Sequence, residues 1–144
     1  DATAEEDYTL SSFGYAATKK LPLLFVCVDN NLSILTEVGV RRSWNVAKVA
    51  AAFGLSSVDI ADDPWIIMHH ARALGGNLPA FMNVRVVRHL WHAGTGKDYE
   101  PEWNRFDLVR AELVRLGHAS DVKDIERRSV AAADSVWDAA LAEK

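Results

Sequence analysis

Apolar and polar positions fall in blocks along the chain. Glu5 to Lys20 predicts a helix with aromatic and small residues, Tyr8, Phe13, Tyr15, Ala16 and Ala17. Lys19-Lys20 lie near the C-terminus, where cations suit the helix dipole, and Leu21-Pro22 ends the segment. Leu23-Leu24-Phe25-Val26-Cys27-Val28 then runs without a polar break. A run this short and continuous predicts a strand buried on both faces, which favours a parallel sheet. Leu32 to Ser43 shows no period. Asn45 to Phe53 predicts a helix ended by Gly54, and Ser57-Val58-Asp59-Ile60 a second strand. Asp62-Asp63-Pro64 caps a helix that runs to about Leu74, and 79–87 predicts a third strand. A long loop, 88–103, precedes an amphipathic helix over 104–116, and Ser120 caps a last helix from Asp121 to about Leu141. Helices alternating with strands in this order predict an α/β fold, a mostly parallel sheet flanked by helices. We read one domain, with a site-bearing part over 1–103 and C-terminal helices over 104–144.

Composition narrows the function classes. The chain has 144 residues, 49% apolar, enough to fill one core. Its net charge of -4 argues against broad binding of nucleic acid or anionic membrane, which needs a basic face. Cys27 is the only cysteine, so no internal disulfide is possible, as suits a reducing compartment. No apolar run approaches the ~20 residues of a membrane span, and no secretory signal pattern is visible. A cytoplasmic location is therefore expected. The chain opens at Asp1 in what reads as a loop after a strand, so an N-terminal part of the fold is expected outside this chain or from another.

In open parallel sheets, ligands bind outside the carboxyl ends of the strands. Asp1, Asp29-Asn30-Asn31 and the stretch from Arg88 to Asp98 fall at such ends. A carboxylate and an amide oxygen there are hard ligands of the kind magnesium takes, and the carbonyl just after Asn31 could add a third. Asp1 as a helix-entry residue and Asn30-Asn31 as a turn is the plainer alternative. Arg88, His89, His92, two glycines and Asp98 lie close together, and His92 could move a proton near neutrality. A surface loop with an exposed His is the alternative there. His69-His70 is expected to be a partly buried helix pair rather than a metal site, and Cys27 an inert mid-strand thiol; Arg41-Arg42 could contact an acidic substrate or partner, with a solvated face the plainer reading.

Asp1-Ala2-Thr3-Ala4, the helix after it, and Leu21-Pro22-Leu23-Leu24-Phe25-Val26-Cys27-Val28-Asp29-Asn30-Asn31 together resemble the thiamine diphosphate signature, which opens Gly-Asp-Gly and closes Asn-Asn. The strand is especially similar to that of the alpha subunits of pyruvate and branched-chain 2-oxo-acid dehydrogenases. Val46 to Gly54, Asp59 to Asp63 and Pro79 to Val87 resemble later segments of that family. The likeness covers most of the chain and is strongest over 1–36.

The resemblance implies a diphosphate-binding fold lacking its N-terminal part. It makes Asp1, Asn31 and the Ser33 carbonyl ligands of Mg2+, with Ala2, Thr3 and Asn30 along the cofactor's diphosphate. Arg88 and His92 match the Arg and His of a loop that closes over the cofactor, with His92 the catalytic candidate and Asp98 the loop's anchor. The implied activity is decarboxylation of a 2-oxo acid, then acyl transfer to a lipoyl group or another acceptor. The implied partner is a beta-type subunit carrying the Glu that activates the aminopyrimidine, in a heterotetramer; a separate N-terminal alpha part is a further partner. Carbon–carbon ligation by the same cofactor (an acyloin- or transketolase-like outcome) and a non-catalytic structural subunit are the competing readings. The sequence departs from the pattern at three positions. Ala2 stands for the second Gly, Ser33 where Tyr is common, and Ala93 where a phosphorylatable Ser follows the His.

Overall fold

The computed structural model describes residues 2–88, 90 and 101–143. They divide into two compact units, Asp1–Pro101 and Glu102–Lys144.

In the first unit, a 3-10 turn over Thr3–Glu5 leads into α1 (Asp7–Lys19), followed by β1 (Leu24–Asp29). A hairpin of two short strands, β2 (Leu32–Ser33) and β3 (Thr36–Glu37), and one turn of helix, α2 (Val38–Arg41), occupy the stretch without period. Then come α3 (Val46–Ala52), β4 (Ser56–Ala61), α4 (Pro64–Gly75) and β5 (Ala80–Arg85). The helices start where their caps predict. The Asn45 side chain accepts from the Lys48 N–H, and Asp63 accepts from Trp65 and Ile66 ahead of Pro64 at the first turn.

The three long strands form a parallel sheet in the order β1-β5-β4, so the last strand inserts between the first two. The α/β class with a parallel sheet flanked by helices is thus observed. On one face Phe13, Val46, Ala47 and Ala50 of the helices α1 and α3 pack on Phe25 and Phe81. On the other, Ile67, Ala71 and Leu74 of α4 pack on Ile60, Met82 and Val84. The central strand β5 is buried from Ala80 to Val84. The expectation that β1 is buried on both faces needs correction. α4 lies over β4 and β5, which leaves Val26 and Val28 of β1 56% and 69% exposed.

A 3-10 turn over Pro101–Trp103 falls at the boundary, and the second unit holds α5 (Arg105–Arg115) and α6 (Ala119–Ala142). Asn104 caps α5, and Gly117, at φ 92, breaks the chain between the two helices. The last helix begins at Ala119 with His118 at its cap, so Ser120 is inside it rather than capping it. An Arg110–Glu126 ion pair of 2.9 Å joins the pair.

Candidate functional site

The three parallel strands end together, and the segment that leaves β1 is held by its own side chains. Asp29 Oδ1 accepts the Asn31 N–H at 2.9 Å, and Asn30 Oδ1 accepts the Leu32 N–H at 3.0 Å. Two successive turns of this kind carry Asn31 into the left-handed region, at φ 63. The Asn31 carbonyl accepts from Val38 at 2.9 Å, which ties the turn to α2. The Asn31 side-chain amide is exposed and takes no hydrogen bond among the described residues. The adjoining hairpin carries Ile34 at φ 54, and Arg88 Nη1 donates to its carbonyl at 2.6 Å.

The segment before α1 faces this turn. Ala2 lies in the left-handed region at φ 42, and Thr9 Oγ1 donates to the Thr3 carbonyl at 2.7 Å. Glu5 receives the Arg41 guanidinium directly and lies 3.4 Å from Arg42 Nε. Between the two segments is a cavity of about 400 Å³, with Ala2, Thr3, Glu5, Asn30, Arg41 and Arg42 in its wall. The Arg42 side chain is only 6% exposed. It lies over the Trp44 ring at 4.6 Å, with Asp29 3.9 Å away, and it leaves Nε and Nη1 without a hydrogen-bond partner among the described residues. Arg41-Arg42 is therefore not a solvated face: the two cations clamp Glu5 and fix the turn over 2–5 to α2.

A polar row crosses the sheet, and its Asp29 is in the cavity wall. Asn83, fully buried, donates Nδ2 to Asp59 Oδ1 at 3.2 Å and lies 3.4 Å from Asp29 Oδ2. Asp59 also accepts from Asn45 at 3.1 Å and pairs with Arg85 at 3.1 Å. Burial, and then the Asp29 charge, push the Cys27 thiol above its ordinary range, which disfavours the thiolate.

The fold thus brings Ala2, Thr3 and Asn30 to one cavity wall. Asn31 is next to it, and Ser33 sits in β2, one residue before the hairpin turn. Arg88 is engaged with the hairpin rather than standing free for phosphate. Asp1, His92 and Asp98 lie outside the described residues. Of the His69–His70 pair, His69 is exposed and His70 half-buried, with the rings edge to face. No group of three or more His, Cys, Asp or Glu suited to a metal occurs among the described residues. The expected set of one carboxylate, one amide and one carbonyl would not form such a group.

The donors that are described fit a hard cation and a diphosphate in kind: a free amide oxygen at Asn31, and a left-handed turn at Ala2 beside the cavity. Glu5, Arg41, Arg42 and Asn83 were not singled out as site residues from sequence. Their only signal was polar or charged residues near strand ends and the first helix. Compared with known proteins, the chain matches no family model, and no curated protein matches it.

Proposed function

We infer that this chain grips the magnesium ion and diphosphate of thiamine diphosphate, as one subunit of an enzyme acting on a 2-oxo acid. The observation that carries this reading is the convergence of Ala2, Thr3 and Asn30 on one cavity at the carboxyl end of a parallel sheet, with the Asn31 amide free beside it. The left-handed backbone at Ala2 adds weight. The resembling signature has Gly at this position, and φ 42 is a conformation that Gly adopts without strain. Asp1, the Asn31 amide oxygen and the Ser33 carbonyl would hold Mg2+. Thr3 and Asn30 would lie along the diphosphate. Arg88 would fix the hairpin beside them, and His92 would hold a proton near the substrate. Thiamine diphosphate, when bound, supplies the electron sink for decarboxylation. The Glu that activates the aminopyrimidine would come from a beta-type partner.

The test is calorimetric titration of thiamine diphosphate, with and without Mg2+, into this chain co-expressed with the products of its neighbouring genes. Asn31→Ala in the same assembly is the control. Magnesium-dependent binding that the substitution abolishes supports the reading. Absence of binding by a folded, complete assembly refutes it and leaves a structural subunit.

A further inference from the structure

We propose that Asn83 is a positioning residue for the metal end of this site: through Asp29 it holds the turn that presents the Asn31 amide. The inference rests on the reading of Asn31 as a Mg2+ ligand, and extends it to a residue that touches neither ion nor cofactor.

Asn83 interrupts an apolar strand. Ala80, Phe81, Met82 and Val84 of β5 fill the core on the two faces of the sheet, and Asn83 among them is 2% exposed. An amide in such a place costs free energy unless both of its ends are bonded. Only one end is. Nδ2 lies 3.2 Å from Asp59 Oδ1 and 3.4 Å from Asp29 Oδ2, while Oδ1 has no hydrogen-bond partner among the described residues. A strand that needed only to fill this space would carry an apolar side chain. What Asn83 adds is a donor aimed at two carboxylates, one in each flanking strand.

The two carboxylates depend on that donor unequally. Asp59 has other donors, Arg85 Nε at 3.1 Å and Asn45 Nδ2 at 3.1 Å. Asp29 Oδ2 has, besides Asn83, Arg42 Nη2 at 3.9 Å among the described residues, and that is beyond hydrogen-bond range. Asp29 Oδ1 is the atom that accepts the Asn31 N–H, at 2.9 Å. One oxygen of this carboxylate is therefore held by the core, and the other holds the turn. The Asp29 carbonyl already accepts from Val86, so its backbone is fixed and the freedom left to it is in its side chain. Asn83 removes that freedom. Groups one step behind a metal ligand set its orientation in this way.

The test uses the co-expressed assembly and two readouts. Amide exchange of 30–33 without cofactor reports the turn. The Mg2+ concentration that half-saturates thiamine diphosphate binding reports the site. Asn83→Leu keeps the branched shape and removes the donor. It is expected to speed exchange of 30–33 and to raise the Mg2+ requirement about tenfold, as loss of a ligand's outer partner does. Asp59→Asn disturbs the same polar row but leaves the Asn83–Asp29 contact, and is expected to change neither readout. If Asn83→Leu does not assemble, Asn83→Ser, whose hydroxyl is too short to span to Asp29, is read in its place. Unchanged exchange, or an unchanged Mg2+ requirement, in the Asn83 variant overturns the proposal. So does an Asp59→Asn assembly altered to the same extent, which would make the row merely structural. A wild-type assembly that binds no thiamine diphosphate refutes the cofactor reading and overturns the metal role with it. A wild type that binds it, beside an Asn83 variant that is indifferent, overturns this proposal alone.

Discussion

Phe13 and Tyr15 are two residues apart on α1 and have opposite fates, which makes the packing argument quantitative. Phe13 is 1% exposed and meets Phe25 at 5.1 Å, Phe81 at 5.3 Å and Phe53 at 6.4 Å, all edge to face. Tyr15 is 61% exposed. Phe13→Ala removes a buried ring and its three aromatic partners, and Gly14 beside it leaves no side chain able to fill the space. The cost is about 3–5 kcal/mol. Against a domain stability of roughly 5–15 kcal/mol this is a large fraction, and it raises the open population about a thousandfold. Tyr15→Ala is expected to stay within about 0.5 kcal/mol. Because the chain has two units, one global melting signal would mix them. Amide exchange under increasing urea, followed on 46–55, reports the elements packed around Phe13. A Phe13→Ala change below about 1 kcal/mol, or a Tyr15→Ala change of equal size, would refute the assignment of this core.

Two further outcomes follow from the site. Asn45 caps α3 and donates to Asp59, so Asn45→Ala is expected to cost about 1 kcal/mol in the urea midpoint of the first unit, with Asn45→Ser recovering most of it. An Asn45→Ser protein no better than Asn45→Ala would assign the loss to the Asp59 contact instead. Burial and then Asp29 raise the Cys27 pKa, so less thiolate is present at a given pH than in a free thiol. Its reaction with a disulfide reagent should be slow near neutrality, keep rising at pH values where a free thiol levels off, and become ordinary in urea. A native-state profile that levels off with that of a free thiol would contradict the burial argument.

What the sequence disclosed depended on whether the deciding interactions were local. Asn45, Asp63 and Asn104 announce their helices because a cap reads only the next two or three N–H groups. The hairpin over 32–37 was invisible, since two-residue strands have no period to detect. Strand order was equally hidden. The run from Leu23 to Val28 is as apolar as an interior strand, yet β5 takes the centre and β1 lies outside among the described residues. The site divides the same way. Asp29-Asn30-Asn31 was legible as a turn at a strand end, because its bonds join near neighbours. The Arg41-Arg42 clamp was not, because its partner Glu5 precedes α1 and only the crossover brings the two together.

The distribution of backbone strain gives a separate reason to look at this end of the sheet. Among the described residues four non-glycine residues have positive φ, at Ala2, Lys20, Asn31 and Ile34. Lys20 needs no special account, since it closes α1 in the left-handed conformation common just past a helix. Asn31 tolerates that region through its short polar side chain, but Ile34 is β-branched and Ala2 lacks any side-chain bond to compensate. Such conformations persist where the surroundings over-determine them. Here the surroundings are specific: Asp29 and Val38 hold Asn31, Arg88 holds the carbonyl of Ile34, and Thr9 and Glu5 hold the turn that follows Ala2. Ala2 and Thr3 line the cavity, and Asn31 and Ile34 belong to the turn and hairpin that follow Asn30 in its wall. A fold that needed only to connect β1 to α3 could do so with relaxed turns. Ala2 in the cavity wall and Ile34 in the adjoining hairpin are the two that need such support, and rigid segments of this kind are what the ligand grip proposed above requires.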